Sequence, residues 1–120
     1  MFTLNADLAV YLHRDAIDFR LAINGLAALV EHQMGGNPFA HAVYVFRNRR
    51  CNRIKLLGWH KNGFWLLHKR LERERFIWPR DERDEASVIH LTVPQLHWLL
   101  DGIDLQAMRG HSVVHYQCAA

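Results

Sequence analysis

Between Val43 and Arg70 three strand-forming runs alternate with two turn signals, a rhythm that restricts this stretch to an antiparallel meander. Val43 to Arg47, Arg53 to Trp59 and Phe64 to Arg70 are rich in β-branched and aromatic residues. Between them lie the polar stretch Asn48-Arg49-Arg50-Cys51-Asn52 and the turn His60-Lys61-Asn62-Gly63, which carries Asn-Gly. Connections this short join antiparallel neighbours, because a parallel pair needs a long crossover.

The flanks supply the rest of the domain. Leu8 to His13 is short, apolar and rich in strand formers, and reads as the first strand. A helix is expected next, capped by Asp15, with Asp18 in its first turn and an apolar stripe of Phe19, Ala22, Ile23, Leu26, Leu29 and Val30. Gly35-Gly36-Asn37-Pro38 ends it. Phe76-Ile77-Trp78-Pro79 reads as a short edge segment, where the missing proline donor is tolerable. Ser87 to Leu91 suits another strand. Thr92-Val93-Pro94-Gln95 is a capping box that opens a helix through Leu96, Trp98, Leu99 and Leu100, stopped at Gly102. The expectation is a single α+β domain over residues 1–120, an antiparallel β-meander sheet with two helices packed against it. A solvated charged loop is expected near 80–86 and a tail without a readable pattern from about 108.

A chain of 120 residues, half of them hydrophobic, can bury its own core. No apolar run approaches the roughly 20 residues that cross a bilayer, and the N-terminus lacks the basic start and apolar stretch of a signal peptide. Cys51 and Cys118 share no motif spacing and read as free thiols of a reducing compartment. A cytoplasmic location is expected, without membrane contact.

The net charge of +3 hides a polarised molecule. Residues 47–80 hold eleven Lys and Arg against two acids, a local charge of +9, and the remaining residues sum to −6. Within that run Arg47, Arg49, Arg50, Arg53, Lys55, Lys69, Arg70, Arg73 and Arg75 are the candidate nucleic-acid contacts, since guanidinium matches phosphate oxygens in a bidentate fashion. The competing reading is an ordinary solvated basic face. Strand alternation puts Arg53, Lys55 and Leu57 on one face and Ile54, Leu56 and Gly58 on the other, with the Ile54 side expected in the core. About six phosphate contacts would give a log affinity against log salt slope of about −5.

Trp59, Trp65 and Trp78 could stack on unpaired bases, but a domain this small needs its aromatics for packing, so they are assigned to the core with Trp59 and Trp65 as the exceptions to watch. Trp98 is assigned to the core. His111, His115 and Cys118 have a spacing that converges only on a helix, and Ser112-Val113-Val114 favours extended chain, so no metal is assigned. His60 and His68 flank the third meander strand without a partner carboxylate or nucleophile at a telling spacing. Phosphate loops, nucleophile elbows and zinc-finger spacings are missing from the sequence. The expectation is therefore a noncatalytic protein with no cofactor.

Several ordered blocks carry a resemblance to a known family. They are Val45-Phe46-Arg47-Asn48-Arg49-Arg50, Arg53-Ile54-Lys55-Leu56-Leu57, Asn62-Gly63-Phe64, Lys69-Arg70-Leu71-Glu72-Arg73 and Phe76-Ile77-Trp78-Pro79, with further similarity at Gly25 to Val30 and Leu91 to Leu96. Together they resemble the accessory protein encoded by the second open reading frame of insertion sequence 66. The resemblance implies a small protein needed beside the element's transposase for efficient transposition, and hence two partners, DNA and the transposase. One expected mechanism is a basic hairpin face that binds DNA; the alternative is an adaptor that docks the transposase without binding free DNA. A metal-dependent nuclease ranks last. Cys51-Asn52 stands where the family usually has glycine and an acid, and Asn24 and His60 stand where acids are common, which counts against a carboxylate-based nuclease site.

Overall fold

The computed structural model describes residues 4–80 and 87–107. The acidic run Asp81 to Glu85, the tail from 108 and its His111, His115 and Cys118 lie outside the described residues. In chain order the elements are β1 (Ala9–His13), α1 (Ile23–His32), β2 (Ala42–Arg47), β3 (Arg53–His60), β4 (Gly63–Arg70), β5 (Val88–Leu91) and α2 (Val93–Leu100).

The sheet runs β4-β3-β2-β1-β5. From β2 to β4 it is the expected meander, with Val45 opposite Leu56 and Leu56 opposite Leu67. It is not antiparallel throughout. β1 lies between β2 and β5 and pairs with β2 in parallel, Ala9 opposite Ala42 and Leu12 opposite Val45. The reason lies in the two strands' composition: Val10 and Leu12 point to one face while Ala9 and Tyr11 point to the other, and Ala42 to Phe46 is apolar without interruption. Strands with two apolar faces belong inside a sheet covered on both sides, and the parallel step requires a crossover, which α1 supplies.

The helices accordingly cover opposite faces. Leu26 and Val30 of α1 pack with Tyr44, Phe46 and Leu57, whereas Leu96 and Leu99 of α2 pack with Val10, Leu12, Val43, Val45, Ile54 and Leu56. The capping box holds: the Thr92 side chain accepts the Gln95 N–H at 3.2 Å, and Gln95 Oε1 accepts the Thr92 N–H at 2.8 Å.

α1 begins later than the acids suggest. Asp15 and Asp18 do not cap it, and its N-cap, Ala22, makes no side-chain bond. Asp18 instead closes a local turn, accepting the Arg20 N–H at 2.9 Å and gripping the Arg20 guanidinium at 2.7 Å. That short-range competition removes residues 18–20 from the helix. Phe76 to Pro79 forms no strand; it crosses one end of the sheet, where Trp78 Nε1 donates to the His13 carbonyl at 3.2 Å. In the β3–β4 turn the positive φ (56°) falls on Lys61, and Gly63 is already paired with His60.

Past the last turn of α1, Gly35 takes φ +63° and the Gly36 N–H reaches back to the Val30 carbonyl at 2.9 Å. The adjacent Tyr44 hydroxyl donates to the Asn37 carbonyl at 2.9 Å, and a Cβ on Gly36 would stand 2.8 Å from that buried oxygen. Gly36→Ala should therefore destabilise the fold by about 1–3 kcal/mol through overpacking, read by urea unfolding. Gly36→Ala combined with Tyr44→Phe should lose less than the two single costs added together.

Candidate nucleic-acid interface

The basic residues gather at one end of the sheet because backbone bonds hold two loops together. At the β2–β3 hairpin, Asn48 Oδ1 accepts the N–H groups of Asn52 (3.1 Å) and Arg53 (3.0 Å), and its Nδ2 donates to Asn52 Oδ1 at 2.7 Å. Cys51, standing where the resemblance leads one to expect glycine, takes φ +56°. The segment after β4 is then fastened to this hairpin at both ends, by Leu71 N–H to Asn52 O and Phe76 N–H to Cys51 O, each 2.8 Å. The segment that carries Arg73 and Arg75 is thereby held against the hairpin that carries Arg49 and Arg50. Nothing in side-chain periodicity announced this stitching, since the donors and acceptors are main-chain groups.

The nine candidate cations fall into different environments. Arg49, Arg50, Arg73 and Arg75 are exposed and Arg53 is half-buried. None of these five has an ion-pair partner among the described residues. Arg70 is held by Glu72 at 2.8 Å, and Lys69 Nζ donates to the Leu100 carbonyl at 2.7 Å. Arg47 is half-buried, with its guanidinium 5.8 Å from the Trp78 ring centre and a long 3.5 Å bond to the Arg14 carbonyl. Arg47 and Arg75 also flank the Cys51 thiol, yet burial dominates and pushes that thiol's pKa up, which makes it a poor nucleophile.

Lys55 does not face solvent. The Ile54 side of β3 is core as expected, but α1 and the loop before it close over the other side too, leaving Lys55 only 8 % exposed. Its ammonium donates to the carbonyls of Phe19 and Leu21, both at 2.8 Å, and lies 4.8 Å from the Phe19 ring centre. Desolvation lowers its pKa, partly offset by Asp18, whose own carboxyl is held at about 2 chiefly by its hydrogen bond to the Arg20 side chain. Lys55 is thus the clamp that fastens the 14–22 loop to the sheet.

Cations crowd across β3 and β4: Arg53 is opposite Arg70, a like-charge pair, and Lys55 is opposite the His68 imidazole. Like-charge pairs weaken a sheet. The field shows on His68, whose pKa is depressed first by desolvation and then by Lys55, Arg53 and Arg70. Trp59 packs edge-on against Phe39 and Phe64, each 5.0 Å away, at the hairpin end of β3 and β4. Trp78 and Trp98 pack against the core, and Trp65 is 40 % exposed. Among the described residues no group of three or more His, Cys, Asp or Glu side chains comes together that could hold a metal ion, and no helix is long and apolar enough to cross a membrane.

The structure defines a small mixed-sheet domain with a cationic end built from the β2–β3 hairpin and the segment after β4. Residues 8–110 match the family described as IS66 Orf2-like protein, and the chain belongs to that family. It is a transposition-associated accessory protein of this insertion-sequence type. Two uncharacterized proteins of Sinorhizobium fredii are similar to it. One, y4jC, is 33 % identical over 97 residues, 81 % of this chain and 80 % of the relative. The other, y4hO, is 32 % identical over 104 residues, 87 % and 88 % of the two chains. No solved structure matches.

Two outcomes follow from this geometry. Lys55→Met should cost about 2 kcal/mol in urea unfolding, because two carbonyls lose a charged donor, while the salt slope of any DNA binding stays unchanged. His68 should titrate below 6.5 in an NMR pH series. Since its folded pKa is depressed, the unfolded chain takes up the proton first; stability falls as pH drops through 6.5 and that dependence should be absent in His68→Gln.

Proposed function

We propose that the protein acts without catalysis, neutralising DNA phosphates near the element's ends through Arg49, Arg50, Arg53, Arg73 and Arg75 while the rest of its surface engages the transposase. The observation that carries this reading is the stitching of the 71–76 segment onto the β2–β3 hairpin, which gathers five cations without ion-pair partners among the described residues. Arginine is suited to the task because its fork meets phosphate oxygens in two parallel bonds. The Arg53–Arg70 juxtaposition also supports it: a local rule of sheet stability is broken where an anionic ligand would relieve the repulsion.

Phosphate contacts orient a protein on a duplex and do not read sequence. The proposed contact is therefore electrostatic, and the transposase supplies or shares the choice of site. Lys55 and the ion-paired Arg70 contribute to the local field more than to direct contact.

The test is fluorescence anisotropy of labelled element-end duplex, scrambled duplex and single strand at several salt concentrations. Five contacts at about −0.9 each give an expected slope of about −4.5 in log affinity against log salt. Arg49→Glu with Arg50→Glu should flatten it by about 2. Absence of binding near physiological salt would overturn the DNA reading and favour the transposase as the ligand of this end.

A further inference from the structure

β4 ends the sheet with an open edge. It has eight residues, pairs only with β3, and no backbone bond to its outer side occurs among the described residues. The bond from Leu71 N–H inward to Asn52 O fixes the phase of the ladder. Odd-numbered residues of β4 bond toward β3, so the N–H and C=O groups of Phe64, Leu66, His68 and Arg70 point outward. On the face beside α2, Trp65 (40 %) and Leu67 (41 %) remain exposed. A long unpaired edge, apolar from Phe64 to Leu67, is a template for another strand.

We propose that the partner is a second copy of this chain, added antiparallel along β4 about a two-fold axis through Leu67. The composition of the strand selects this occupant. Its first half is aromatic, Phe64 and Trp65, and its last residues are cationic, Lys69 and Arg70. Two-fold pairing about Leu67 sets Trp65 across from Lys69 of the other copy, Phe64 across from Arg70, and Leu67 against itself. Each cation then meets an aromatic face and like charges are kept apart. Every outward N–H and C=O from Phe64 to Arg70 gains a partner. Pairing about Leu66 would leave Lys69 opposite Gly63 and Arg70 opposite Asn62, with no aromatic for either. The two-fold contact closes after two copies, giving a ten-stranded sheet whose remaining edges are the four-residue β5 strands. The inference rests on the fold and stands whether or not the cationic end binds DNA.

Sedimentation velocity of the full chain over rising concentration should approach twice the 14.1 kDa monomer mass; a monomer throughout overturns the proposal. His68→Pro removes an outward donor and leaves the β3 ladder intact, and Leu67→Lys puts two like charges on the axis. Both should be monomeric with unchanged circular dichroism, and dimers that survive them would refute the placement. Because either variant could unfold, cysteine cross-linking supplies a second reading. With Cys51→Ser and Cys118→Ser, Leu67→Cys should form an intermolecular disulfide on mild oxidation, since a non-hydrogen-bonded pair brings its Cα atoms to about 4.5 Å. His90→Cys on β5 should not. Cross-linking at His90 and none at Leu67 would place the interface on the other edge.

Discussion

β1 is the constraint on which the architecture depends. A strand with Val10 and Leu12 on one face and Tyr11 on the other cannot sit at the rim of a sheet, so it takes the interior position between β2 and β5. Once there in parallel with β2, it commits the intervening chain to a crossover, which places α1 over one face and leaves the other for α2. The 14–22 loop must then descend from the end of β1 to the start of α1 across the face that carries Lys55. The lysine's burial and its two carbonyl bonds follow from that route. The buried His13 at the end of β1 closes the same corner, its ring bonded to the Asp15 carbonyl and to Gln33 Oε1, each at 2.7 Å.

Much of this was legible from residues alone, for reasons that can be named. The meander strands lie within a residue of their expected bounds at every end, because turn chemistry and strand-forming runs are local signals. The α2 capping box was readable for the same reason. The parallel step was not recognised, although its signature was present: a continuous apolar run from Ala42 to Phe46 marks a strand covered on both faces. Alternation put Lys55 on the correct side of β3, yet it cannot tell whether that side meets water. The 71–76 stitching rests on main-chain groups that every residue possesses, so no pattern of side chains could reveal it.

The charged end shows how a sequence count and a surface differ. Of nine candidate cations, one is spent inside the fold, one is half-buried beside Trp78, and two are engaged by Glu72 or the Leu100 carbonyl. The five that remain carry the electrostatic argument. Surface ion pairs such as Arg70–Glu72 are weak, so the local field is stronger than a strict pairing count suggests, and the depressed His68 pKa is consistent with that.

The loop that presents Arg73 and Arg75 is anchored by the backbone of Leu71 and Phe76 rather than by the arginines themselves. Its shape is thus independent of the charges it displays. Lineages can gain or lose cations at 73 and 75 without rebuilding the frame, so affinity for a polyanion is an evolvable quantity here while the fold stays fixed. Selection would meet the opposite situation at Lys55, where a change of charge is also a change of structure.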